Sequence, residues 1–143
     1  MIAVDTNLLV YAHRVDMPQH VAASAALRVL AEGGQPWAIA WPSVHEFFAV
    51  VTHARFSPPS TPKLAWLAIR NLVASPSLRL IGEGVDHLQW LGRVIARGDV
   101  RGAMIHDARI AAICLAHGVN ELWTADRDFS RFPELKTHNP LMA

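Results

Sequence analysis

Four short apolar runs, IAV, WAIAW, LRLI and ELWT, are spaced along the chain with longer stretches of helical pattern between them. This alternation is the strongest constraint on the fold. Strands of this kind are apolar on both faces, so each needs cover above and below, and helices in the connections supply it when the strands run parallel. Ile2–Val4 is expected as the first strand, with TNLLVYAH turning into a helix. A second helix spans about Pro18 to Ala31, with Val21, Ala25, Leu27 and Leu30 at helical spacing and Gly33-Gly34 as its stop. WAIAW reads as the second strand, and Pro42 and Ser43 open a helix through Thr52. FSPPSTP, residues 56–62, is a connector too short to separate domains. It ends in Thr61-Pro62, an N-cap with proline at the first helical position, so Lys63–Ala74 is helical. LRLI is the third strand. Helices from about Val85 to Arg97 and from Met104 to His117, the latter closed by Gly118, lead into ELWT as the fourth. DRDFSRFP is a turn or short helix, and LKTHN is an edge strand. The expected architecture is a three-layer α/β/α sandwich around a mostly parallel sheet of four to five strands, forming one domain over residues 1–143.

In such sheets ligands collect beyond the carboxyl ends of the strands. Asp5 follows the first strand directly, where a charge would otherwise be out of place. Twelve acidic residues are present, and seven of them (Asp16, Glu32, Glu83, Asp86, Asp99, Glu121, Glu134) sit in polar or turn-like contexts that suit solvated positions. The other five stand among apolar residues: Asp5, Glu46 in VHEFFAVV, Asp107 in MIHDARIAAICLA, and Asp126 and Asp128 in LWTADRDF. Each has a plain structural alternative. Ser43-x-x-Glu46 fits a capping box, Asp5 can cap the helix at Thr6, and Asp126 can cap the turn before Phe129. Asp107 has the weakest such alternative, because it lies one turn after Ala103 on the face that should pack inward. Carboxylates gathered in one place cannot all stay ionised, since burial and mutual repulsion raise their pKa values. A hard divalent cation relieves that conflict, and oxygen ligands suit Mg²⁺ or Mn²⁺.

Other chemistries find less support. There is no P-loop, no GxGxxG, no GxSxG and no HExxH. His45 and His106 precede Glu46 and Asp107, but adjacent helical residues point about 100° apart and do not share a site. The single cysteine, Cys114, lies in an apolar helix and reads as a buried thiol in a reducing compartment. A formal charge of +1 permits a nucleic-acid substrate without arguing for one. No apolar run nears the ~18 residues of a membrane span, so a cytoplasmic domain is expected, with no membrane partner. The hydrophobic fraction of 52% is high enough to reserve some apolar surface for a partner.

The acidic motifs carry a resemblance. DTN at Asp5–Asn7, Ser43-x-x-Glu46, HDARIAAICLAHGV around Asp107 and TADRDF at Thr124–Phe129 occur in that order, and the chain resembles PIN-domain ribonucleases, in particular the VapC toxins of toxin–antitoxin operons. The resemblance implies a PIN-like fold and a metal-dependent endoribonuclease that hydrolyses RNA phosphodiester bonds by metal-activated water. It implies Asp5, Glu46, Asp107 and Asp126 as a catalytic quartet around Mg²⁺ or Mn²⁺, with Asp128 as a further ligand. Thr6, Asn7, Ser43 and Thr124 match polar residues that orient the carboxylates. It also implies an RNA substrate, a VapB-like cognate antitoxin and a homodimer. Arg14, Arg93, Arg97, Arg101, Arg127 and Arg131 are candidate phosphate contacts. The hairpin around Phe56–Trp66 is the candidate antitoxin clamp. Two alternatives stand beside this expectation: a catalytically inactive PIN-fold nucleic-acid-binding module, and a metal phosphohydrolase of small phosphate esters.

Overall fold

The computed structural model describes residues 1–142; the last residue of the expected domain, Ala143, lies outside that range. Five strands, β1 (Ile2–Val4), β2 (Trp37–Ala40), β3 (Leu78–Ile81), β4 (Glu121–Trp123) and β5 (Lys136–His138), form one sheet in the order β3-β2-β1-β4-β5. Every neighbouring pair is parallel, with Ile2 opposite Trp37 on one side and Glu121 on the other. The expected sheet is therefore present at five strands and wholly parallel. β5 is its edge, and all three of its residues are exposed.

Six helices cover the sheet: α1 (Thr6–His13), α2 (His20–Glu32), α3 (Trp41–Val51), α4 (Pro62–Val73), α5 (His87–Gly98) and α6 (Ile105–Ala116). The period-two alternation of the strands divides the core in two. Val4, Trp37 and Ile39 pack with residues of α1 to α4, including Leu8, Leu9, Phe47 and Ile69. Ala3, Ala38 and Ala40 point the other way, into a second core with Val94 of α5 and Ala108, Ala111 and Ala112 of α6. Small side chains on both sides of this seam let α6 lie close against the sheet. Cys114 is fully buried there, and burial pushes its thiol up to about 12, which leaves it inert.

Local signals act as the sequence implies in several places. Thr61 caps α4, its hydroxyl accepting from the Leu64 N–H at 3.2 Å. Gly33 ends α2, and Gly34 and Gly118 take positive φ, a conformation that costs a residue without Cβ little. One boundary shifts. The run WAIAW does not stay extended to its end: Trp41 is the first residue of α3, with Ala40 as N-cap. Pro42 still occupies the first turn, but Ser43 sits three residues past the N-cap, too deep to cap it. The capping box expected for Ser43 and Glu46 does not form, so Glu46 holds no helix-terminal donor through that motif. Instead the Ser43 hydroxyl is buried without a hydrogen-bond partner. No helix among the described residues is long and apolar enough to cross a membrane.

A carboxylate-lined cleft at the switch point of the sheet

From β1 the chain winds outward through β2 to β3, then crosses back to place β4 on the other side of β1. Beyond the carboxyl ends of β1 and β4 the connections diverge, and a crevice opens there. Asp5 follows β1, and Thr124 and Asp126 follow β4. The Asp5 N–H donates to the Trp123 carbonyl at 3.0 Å, carrying the sheet ladder into the site.

Asp5 is buried, and its oxygens are held from three sides. Oδ1 accepts from the Thr6 N–H at 2.8 Å, which makes Asp5 the cap of α1. Oδ2 accepts from the Thr124 hydroxyl at 2.8 Å and from Asn7 Nδ2 at 3.3 Å. That hydroxyl also accepts from the Asp126 N–H at 3.0 Å and from Asn7 Nδ2 at 3.2 Å, so its one proton and both lone pairs are used. Asn7 closes the network by accepting from the Ala125 N–H at 3.3 Å. Two polar side chains thereby staple the end of β1 to the end of β4. Thr6 is buried as well, but its hydroxyl has no partner.

Asp5, Glu46, Asp107 and Asp126 line one cleft of about 530 Å³, together with Thr6, Asn7, Tyr11, Met17, Arg55 and Phe56. They arrive on separate elements: the β1–α1 junction, the middle of α3, the first turn of α6 and the segment after β4. Asp107, Asp126 and Asp128 each offer an oxygen within 4.8 Å of the others. The bland explanations for Asp5 and Asp126 hold at the same time, since Asp126 accepts from the Asp128 N–H at 2.8 Å as a turn cap. Capping fixes these carboxylates in orientation and leaves their other lone pairs free. Glu46 is exposed, yet its charge reaches both Asp5 and Asp107.

Electrostatics records the crowding. Burial is the largest cause that raises Asp5 from 3.8 to about 6, against the hydrogen bonds from Thr124 and Thr6, with Glu46 and Asp107 adding repulsion. Asp107 is raised to about 6 by burial, then by Asp126, Asp128 and Glu46, while Arg131 opposes. An all-oxygen donor set with two protonation equilibria displaced upward fits a hard divalent cation.

The remaining candidates fall in different places. Ser43 lies on α3 with Glu46 but contacts none of the carboxylates by a hydrogen bond. Of the six candidate arginines, Arg131 donates Nε to the Asp128 carbonyl at 3.1 Å, and its charge is felt at Asp107. Arg93 and Arg97 both pair with Glu134, and Arg101 pairs with Asp99, so these guanidiniums are engaged elsewhere. Arg14 is held by Asp16. Neither His45 nor His106 lines the cleft; His45 stacks on Trp41. Sequence reading overlooked Arg55, Tyr11 and Met17. Their neighbours THARFSPP and RVDMP contain no motif, and only the position of Arg55 before the proline-rich connector hinted at partner or substrate recognition.

A parallel α/β sandwich with a carboxylate cleft at its switch point defines a class of proteins with an oxygen-rich site at the strand ends, suited to a hard divalent cation. Residues 2–135 match the family model of the PIN domain, and the chain belongs to that family. It is 36% identical over 143 residues to Ribonuclease VapC43 of Mycobacterium tuberculosis, covering 99% of this chain and 96% of that protein. Among solved structures, VapBC2 from Rickettsia felis, bound to a DNA fragment from its promoter, matches with a TM-score of 0.72 and 20% identity over 97% of this chain and 98% of that one. VapC20 of Mycobacterium tuberculosis, described as a Sarcin-Ricin loop cleaving toxin, matches with a TM-score of 0.69 and 20% identity over 95% and 99%. At that identity these two structures share the fold.

Proposed function

We propose that this chain is a Mg²⁺- or Mn²⁺-dependent endoribonuclease and the toxin of a toxin–antitoxin pair. The observation that carries this reading is the convergence of Asp5, Glu46, Asp107 and Asp126 from four elements on one cleft, with Asp5 and Asp107 both raised to about 6. The naming of a 36% identical relative as a ribonuclease supports RNA as the substrate. Asp107, Asp126 and Asp128 would hold a cation, with Asp5 and Glu46 completing its surroundings. When bound, such a cation supplies positive charge against the phosphate and makes water a competent nucleophile near neutral pH.

The chain's own groups do the positioning. Thr124, Asn7 and the Thr6 N–H fix both oxygens of Asp5, so that carboxylate meets a ligand without reorganising. Asp126 is set by the turn it caps, and Asp128 lies in that turn. Arg131 stands by Asp107, where its guanidinium can take a share of the phosphate's charge. We further propose that residues 1–143 act as a single cytoplasmic domain that forms a homodimer. A cognate, VapB-like antitoxin, expected from the sequence at the hairpin around Phe56–Trp66, would cover the groove between α3 and α4 that Trp66 lines. Trp41, Phe48, Trp66 and Val73 line a groove of about 760 Å³ there, with Trp66 56% and Trp41 42% exposed.

The test uses purified protein with single-stranded and structured RNA, in Mg²⁺, Mn²⁺ or EDTA, beside Asp107→Asn. Cleavage that requires the cation and falls at least about a hundredfold in Asp107→Asn is expected. Tight RNA binding without cutting under any condition would instead identify an inactive binding module. Turnover restricted to small phosphate esters would identify a phosphohydrolase.

A further inference from the structure

The acidic cleft has one basic wall that the carboxylates do not explain. Arg55, in the turn after α3, lines the same cleft as Asp5, Glu46, Asp107 and Asp126. Its side chain is exposed, and among the described residues it forms no salt bridge. A guanidinium beside four carboxylates would ordinarily fold onto one of them. Here it lies over the aromatic ring of the next residue, Phe56, at 5.7 Å from its centre. Phe56 is itself half-buried against the core formed with α1 to α4, so it is a fixed platform. The Arg55 N–H donates to His53 Nδ1 at 3.0 Å, which sets the turn.

The neighbouring cation shows the contrast. Arg14 lies over the same ring at 4.5 Å, but it is paired with a carboxylate: two bonds of 2.9 Å run to Asp16, and a longer one of 3.4 Å to Ser60. Arg131 is a cation whose charge is felt at Asp107. Arg55 lines the same space as the acids without a salt bridge to them. Tyr11 and Met17, half-buried on the same lining, offer ring and thioether surface beside it.

We propose that Arg55, braced by Phe56, is a binding subsite for a backbone phosphate of single-stranded RNA flanking the phosphate to be cut. The inference rests on the nuclease reading above and names how that site grips its substrate. A guanidinium free of carboxylates presents paired donors that match phosphate oxygens, and it sets the strand's register across the acids without reading its sequence. The charge pattern favours RNA over a cationic peptide, because a basic segment aimed at the carboxylates would meet like charge at Arg55.

The test compares wild type with Arg55→Ala, Arg55→Lys and Arg97→Ala, the last removing an arginine paired with Glu134 away from the cleft. Binding of a fluorescein-labelled single-stranded RNA of about 20 nucleotides is followed by anisotropy in EDTA, across a range of salt. Arg55→Ala should lower the slope of log affinity against log salt by about 0.7, the loss of one phosphate contact. Arg55→Lys should restore the slope, and Arg97→Ala should leave it unchanged. In Mn²⁺, KM for the same RNA should rise about tenfold in Arg55→Ala with kcat within about twofold, and rise less in Arg55→Lys. Unchanged slope and KM in Arg55→Ala, with wild type cutting normally, overturn the subsite alone. So does a loss confined to capture of an antitoxin peptide. A wild type that cuts no RNA, but whose binding slope still depends on Arg55, overturns hydrolysis and keeps the contact.

Discussion

Asp5 shows how a single residue can be stable in position and costly in charge. Three donors hold it, yet burial outweighs them and its pKa stands at about 6. The sign of the consequence is fixed. Between 3.8 and about 6 the folded protein keeps a proton that the unfolded chain releases, so rising pH across that window destabilises the fold. The full shift corresponds to about 3 kcal/mol above pH 6, and below 3.8 the penalty vanishes. Thermal melts in EDTA from pH 4 to 7.5, taken as the difference between wild type and Asp5→Asn, should therefore show wild type losing ground as pH rises. Adding Mn²⁺ should reverse the trend for wild type and stabilise Asp5→Asn less, since Asp107, Asp126 and Asp128 remain in that variant. A difference that stays flat with pH would remove the claim that this carboxylate carries a strained charge.

At the scale of elements, the site depends on a seam between two strand ends. Thr124 uses every hydrogen-bonding valence it has to join Asp5, Asn7 and the Asp126 backbone. Thr124→Val keeps the shape and deletes the bonds, leaving buried polar groups unpaired at about 1–3 kcal/mol. Cleavage should drop more than about tenfold, with Thr124→Ser close to wild type; equal activity in Thr124→Val would mean the staple is dispensable. The alternation of strand and helix was legible in the sequence because parallel strands must be apolar on both faces, and Ile2–Val4, Leu78–Ile81 and Thr61-Pro62 behave as read. The order of the motifs likewise marked Asp5, Glu46, Asp107 and Asp126, which the structure gathers around one cleft. Trp41 was not legible, because whether an apolar residue ends a strand or starts a helix is decided by packing. The capping-box pattern at Ser43 failed for a related reason: α3 starts two residues before it, which puts its hydroxyl inside the helix. Arg55 left no trace in local pattern, since its role depends on a ring beside it and acids that are distant in sequence.

For the molecule as a whole, its tryptophans divide between core and surface. Trp37 is 2% exposed and anchors the α1–α4 core, whereas Trp66 and Trp41 leave broad faces open over the α3–α4 groove. If that groove receives the antitoxin, Trp66→Glu should weaken capture of the antitoxin peptide by at least about tenfold, because a charge would replace a large apolar anchor. RNA cleavage and melting temperature should stay near wild type. Undiminished capture, measured by titration calorimetry, would exclude the groove as the clamp.

The pairing of β4 beside β1 has a further result for biosynthesis. Asp5 leaves the ribosome well before the hydroxyl that orients it, since Thr124 lies 119 residues further along the chain and Asp126 follows it. A nascent polypeptide ending before β4 can cover the α1–α4 face of its sheet and still possess no working cleft. The acidic cleft is thereby withheld until β4 has been translated, when the elements of the α1–α4 face have already been made.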